Sequence, residues 1–96
     1  MSIQTETRLA AYSRTRATVD RLRILHYIDD QRGHGATCDE AEQYLSLAHQ
    51  TASARITELR KAGDIEAIAK RPTRTGSPAA VYVAPRFARP VQKNLF

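Results

Sequence analysis

Gly63 divides this sequence into two regimes. Before it, Ala52, Ile56 and Leu59 fall at i, i+4 and i+7 and make one apolar face of a helix from about His49 to Ala62. After it the period shortens to two. Ile65 and Ile68 flank a β-like run from Asp64 to Lys70, and Val81, Tyr82 and Val83 form a second. Glycine closes a helix in the left-handed conformation at little cost, and Ile65 supplies the apolar contact beyond it. Between the two runs lies Arg71-Pro72-Thr73-Arg74-Thr75-Gly76-Ser77-Pro78, whose prolines, glycine and polar residues mark a hairpin tip. The expected fold class is α+β: three helices, then a two-stranded β-hairpin.

Upstream, the helical period starts at Val19. Val19, Leu22, Leu25 and Ile28 recur every three residues, with Ile24 widening the stripe. Thr18 is the expected N-cap, with Asp20 in the first turn. Gly33 and Gly35 stop this helix near Gln31 or Arg32. Thr37-Cys38-Asp39-Glu40 reads as a capping box for a second, short helix. That helix ends near Leu45 or Ser46, buries Ala41, Tyr44 and Leu45, and leads through Leu47 in a tight turn. Residues 1–17 are polar and weakly patterned, and are expected to form a flexible arm. Residues 18–84 form the domain. Pro85 and Pro90 break regular structure, so residues 85–96 read as an extended tail.

A chain of 96 residues holds one small domain and excludes a multidomain enzyme. Its 15 Lys+Arg against 10 Asp+Glu give a net charge of +5, which attracts polyanions. The surplus is uneven. Residues 18–48 carry six acids (Asp20, Asp29, Asp30, Asp39, Glu40, Glu42) and three bases. Residues 70–96 carry Lys70, Arg71, Arg74, Arg86, Arg89 and Lys93 with no acid. That pattern predicts a one-sided anion-binding surface. The single Cys38 excludes an internal disulfide and points to a reducing compartment. No apolar run reaches the ~20 residues that span a bilayer, and Met1 to Arg8 lacks a signal-peptide core. A cytoplasmic protein without a membrane partner is expected.

Chemical motifs are sparse. His26 falls within the first helix and His34 in the glycine loop. Three histidines and Cys38 show none of the usual zinc-site spacings. Ser, His and Asp are scattered without a nucleophile motif, and no glycine-rich loop could cradle a phosphate. The expectation is a non-enzymatic protein without metal or cofactor.

The order of helix, short helix, tight turn, longer helix, glycine and basic hairpin resembles a winged helix-turn-helix domain of the MarR-like and phage-type members. Thr37 to Glu42 match the start of the second helix, and Leu45-Ser46-Leu47 its turn. Thr51-Ala52-Ser53-Ala54-Arg55-Ile56 resembles the start of the recognition helix. Leu59-Arg60-Lys61-Ala62-Gly63-Asp64-Ile65 resembles the family's junction into the wing. Ala52 departs from the bulkier Val or Ile often found there. The resemblance implies binding of double-stranded DNA, with the third helix in the major groove. Helix angles then turn Gln50, Ala54, Thr57 and Lys61 outward, with Ser53 and Glu58 flanking them. His49, Gln50 and Thr51 form the N-terminal turn, where backbone N–H groups favour phosphate. Gln50 is the first base-reading candidate, Thr57 the second, and Ala54 suits a thymine methyl. Arg55, Arg60 and Lys61 would neutralise phosphates, or Arg60 would pair with Asp64 or Glu58. Lys70, Arg71 and Arg74 in the wing would lie over the DNA backbone or the adjacent minor groove.

Gln92-Lys93-Asn94-Leu95-Phe96 resembles the bacterial sliding-clamp-binding peptide, Gln-x-x-Leu-Phe; Lys93 and Asn94 depart from its usual inner residues. The resemblance implies that Leu95 and Phe96 enter an apolar pocket of the clamp while Gln92 bonds at its rim. Folding of Leu95 and Phe96 back onto the small core is the competing expectation. Two other functions fit the same domain. One is a transcription regulator acting as a homodimer on a two-fold site. The other is a winged-helix protein-interaction module that binds no DNA.

Overall fold

The computed structural model describes the backbone of residues 2–88 and the side chains of residues 16–88. Its elements are α1 (Ser2–Asp30), a 3₁₀ turn (Arg32–His34), α2 (Cys38–Leu45), α3 (His49–Ala62), β1 (Glu66–Pro72), β2 (Pro78–Val83) and a four-residue α4 (Pro85–Ala88). The class is α+β, and the succession of three main helices and an antiparallel hairpin is compatible with a winged-helix layout. None of the described helices is long and apolar enough to cross a membrane.

The first helix departs most from expectation. It runs without a break from Ser2, so Thr18 is an interior residue and the backbone of residues 2–17 is helical. No glycine or proline interrupts that stretch, and extending an existing helix gains one hydrogen bond for each residue fixed, without the cost of a new nucleus. Its inner face also differs. Asp20, Ile24 and Ile28, at four-residue steps, are buried, whereas Val19 and Leu22 are exposed. A single-residue shift of register around the helix changes which of two interleaved apolar rows faces the core.

The capping box forms as expected. Glu40 N–H donates to Thr37 Oγ1 at 3.1 Å, and Thr37 N–H donates to Glu40 Oε1 at 3.0 Å. Ser46 then takes a left-handed conformation (φ 56, ψ 48), and Leu47 N–H returns to the Glu42 carbonyl at 3.0 Å. This reversal sends α3 back across α2. Tyr44 is a correction: it is exposed rather than buried, and stacks on Tyr27 with ring centroids 4.6 Å apart.

α3 spans the expected residues, and Ala52, Ile56 and Leu59 are buried. Gly63 is left-handed (φ 83, ψ 13), and Asp64 N–H closes on the Leu59 carbonyl at 2.9 Å. Ile65 lies beneath this closure at 1% exposure. The core joins Ile24 and Ile28 of α1, Ala36, the α3 face and Ile65, with Leu25, Leu45, Leu47 and Tyr82 packed around it.

The hairpin is longer than its sequence pattern implied. Pro72 pairs opposite Pro78, so the open tip shrinks to Thr73–Ser77. Prolines are tolerated there because each sits at the end of a strand, where no ladder donor is required. Ile68 falls at a register shift between Ala67 and Ala69 and is exposed, whereas Ile65, at the start of the run, is buried. Ala36 adds an isolated antiparallel bridge to Tyr82, with N···O distances of 2.9 and 2.8 Å in the two directions. Pro85 opens α4 instead of breaking structure, because its fixed φ suits the first position of a helix. The remaining tail, including Gln92, Leu95 and Phe96, lies outside the described residues.

Candidate nucleic-acid interface

The three buried apolar residues of α3 fix its orientation, and the opposite side is open. His49, Gln50, Arg60 and Lys61 are exposed, while Thr51, Ser53, Ala54, Arg55 and Thr57 are partly covered. Ala48 precedes the helix and offers no side-chain cap, so no side chain of that residue competes for the first backbone N–H groups. Arg60 and Lys61 occupy the last turn, where cations also complement the helix dipole. The Thr57 hydroxyl donates back to the Ser53 carbonyl at 2.9 Å. Thr57 therefore uses its one donor inside the helix, and Gln50 carries an amide with no hydrogen-bond partner among the described residues.

The basic residues divide into two groups. Arg55 donates to Glu58 Oε2 at 2.8 Å, and Arg21 of α1 donates to Glu58 Oε1 at 2.7 Å. Two guanidiniums thus hold Glu58, and these hydrogen bonds keep its carboxyl below the usual range. The Nε of Arg55 is enclosed without an acceptor among the described residues. Arg55 reads as a tie between α3 and α1 rather than a free phosphate contact. The expected Arg60 pairings are absent among the described ion pairs; Glu58 is taken by the two arginines above.

The hairpin arginines are likewise engaged. Arg71 forks onto Glu40, with Nε to Oε2 at 3.0 Å and NH2 to Oε1 at 2.8 Å. It also donates to the carbonyls of His34 (3.1 Å) and Gly35 (3.2 Å). Arg74 bonds Asp39 at 2.8 Å through Nε and 2.6 Å through NH2. The acidic middle and basic hairpin of the sequence are therefore partners within the fold, through pairs 31 and 35 residues apart. Arg71 and Arg74 position the hairpin against α2, and their charge is largely satisfied there. Among the described Lys and Arg residues, Arg32, Arg60, Lys61 and Lys70 have no acidic partner within 4 Å.

The Arg71 hydrogen bonds hold the Glu40 carboxyl below its ordinary value of 4.5 and raise the guanidinium's own pKa. A depressed carboxylate contributes stability above its ordinary pKa and loses it as pH falls through the folded value. Stability should therefore decline below about pH 4.5. Arg71→Ala should cost about 2 kcal/mol at neutral pH, since it removes charge-assisted bonds that are partly screened by solvent. The same substitution should flatten the acid limb. Urea unfolding of both proteins from about pH 3 to 7 checks the magnitude and the sign.

A third group meets at the turn between α2 and α3. Cys38 Sγ–H donates to Glu42 Oε2 at 3.2 Å, and His49 Nδ1 lies 2.6 Å from the same oxygen. Burial and then the Glu42 hydrogen bond push the Cys38 thiol up to about 12, so it is not an activated nucleophile at neutral pH. No family model, curated protein or solved structure matches this chain. Sequence spacing missed the Cys38–Glu42–His49 meeting because it depends on the left-handed turn at Ser46. The Cys38 and Glu42 spacing of four on one helix was the available signal.

Proposed function

We propose that this chain binds double-stranded DNA as a winged-helix protein, with α3 in the major groove and the hairpin as the wing beside the backbone. The observation that carries this reading is the placement of unpaired positive charge. Three of the four described cations without an acidic partner, Arg60, Lys61 and Lys70, lie on the last turn of α3 and on β1. The open N-terminal turn of α3 supplies backbone donors for phosphate, and Gln50 supplies an amide suited to an adenine edge. Arg71, Arg74 and Arg55 act behind this surface by holding the hairpin and α3 in place.

Each phosphate neutralised contributes about −0.9 to the slope of log affinity against log salt. Three such cations predict a slope near −2.7, so raising salt from about 50 to 200 mM should weaken binding by roughly 40-fold. Arg60→Ala, Lys61→Ala and Lys70→Ala together should reduce the slope by about 2.7 and weaken binding on all sequences. Gln50→Ala should change preference among sequences at unchanged slope. Fluorescence anisotropy with random and selected duplexes measures both. Salt-independent binding, or none, would favour the protein-interaction reading.

Residues 92–96 support a second contact, with a sliding clamp, through Gln92, Leu95 and Phe96. Deleting them should abolish capture of purified clamp and leave the salt slope on DNA unchanged.

A further inference from the structure

We propose that Cys38, Glu42 and His49 form a binding site for one zinc-class divalent cation at the junction of α2 and α3. Cys38 and Glu42 sit one turn apart on α2 and project to the same side. The Ser46 turn returns the chain so that His49, the first residue of α3, meets them. One thiol sulfur, one carboxylate oxygen and one imidazole nitrogen all lie within 4.8 Å of one another. A tetrahedral zinc with ordinary bond lengths places its ligand atoms roughly 3.4–3.6 Å apart. The three groups are therefore within side-chain rotation of that spacing.

The chemistry of the three groups narrows the ligand. A thiolate and an imidazole exclude Mg²⁺ and Ca²⁺ as preferred occupants and select a borderline-soft ion such as Zn²⁺. One thiolate and one carboxylate together balance its double charge. Both described hydrogen bonds converge on Glu42 Oε2, from the Cys38 thiol and from His49 Nδ1. On binding, the thiol proton leaves to solvent and the imidazole carries its proton on Nε2, freeing Nδ1 as the ligand. The other Glu42 oxygen lies 3.9 Å from Arg74 NH2, at the edge of the cluster. The Glu42 side chain is 11% exposed and that of His49 73%, so the site is closed on one side and open on the other. The open side leaves a fourth position for water.

The site stands independently of DNA binding and is tested without DNA. Co²⁺ is titrated into the full chain, kept reduced with a non-thiol reductant, and followed by absorbance. The expected result is one Co²⁺ per chain, with a thiolate-to-cobalt charge-transfer band in the near ultraviolet that Zn²⁺ bleaches. Cys38→Ser should remove the band while its far-ultraviolet circular dichroism stays unchanged. Glu42→Gln and His49→Gln should each weaken Co²⁺ affinity by at least about tenfold. His34→Gln, away from the cluster, should match the unmodified protein. The proposal is overturned by absence of the band, by its persistence at full affinity in Glu42→Gln or His49→Gln, or by one metal per two chains.

Discussion

Gly35→Ala should destabilise the fold by about 4 kcal/mol in urea or thermal unfolding, the largest effect expected of any methyl-sized change here. Gly35 has φ 67 and ψ −170, a region open almost only to glycine. A β-carbon there would stand 2.5 Å from the Tyr82 carbonyl oxygen, 2.7 Å from Val81 Cγ1 and 2.8 Å from Val83 Cγ1. The first of these is backbone and cannot rotate aside. The crowding follows from the bridge between Ala36 and Tyr82, which draws the glycine turn onto β2. The backbone conformation costs about 1–3 kcal/mol for a non-glycine residue, and overpacking adds a similar amount. Gly33, two residues earlier, is the control. A β-carbon there would meet nothing within 4 Å, and Gly33→Ala should leave stability within about 0.5 kcal/mol. A small domain has little stability in reserve, so Gly35→Ala should be largely unfolded at about 37 °C, while Gly33→Ala is not.

Ile28→Ala should cost about 3 kcal/mol, whereas Leu22→Ala should cost about 0.5 kcal/mol. Ile28 is fully buried in the cluster with Ile24, Ile56, Leu59 and Ile65, and truncation leaves a cavity that rigid helices cannot fill. Leu22 is 49% exposed on the other row of α1. Both residues belong to the stripe read from the sequence, so the pair separates the two registers of that helix directly. Chemical denaturation at unchanged m-value supplies the comparison.

That ambiguity shows where sequence patterning ends. The second and third helices were legible because their signals are local: the Thr37–Glu40 box, the Ala52, Ile56 and Leu59 face, and Gly63 all lie within a few residues of what they determine. α1 was less so. Its apolar residues fill two adjacent rows, and only packing against α3 decides between them. The buried Asp20 on the inner row made that row look polar. The arginines failed differently. Composition showed basic residues late and acidic residues early, and the natural inference was a one-sided surface. It could not show that Arg71 and Arg74 fold back onto Glu40 and Asp39, because pairing across 31 and 35 residues is a property of the tertiary fold. The candidate interface consequently rests on Arg60, Lys61, Lys70 and Gln50, a smaller set than the sequence offered.

The double use of Glu40 has a dynamic consequence. One carboxylate both accepts the Thr37 N–H at the start of α2 and grips the Arg71 fork from the hairpin. Fraying of the first turn of α2 therefore releases the hairpin, and detachment of the hairpin loosens that turn. The two should open as one cooperative unit, and amide exchange at Glu40 and Ala41 should rise and fall with exchange in the middle of β1.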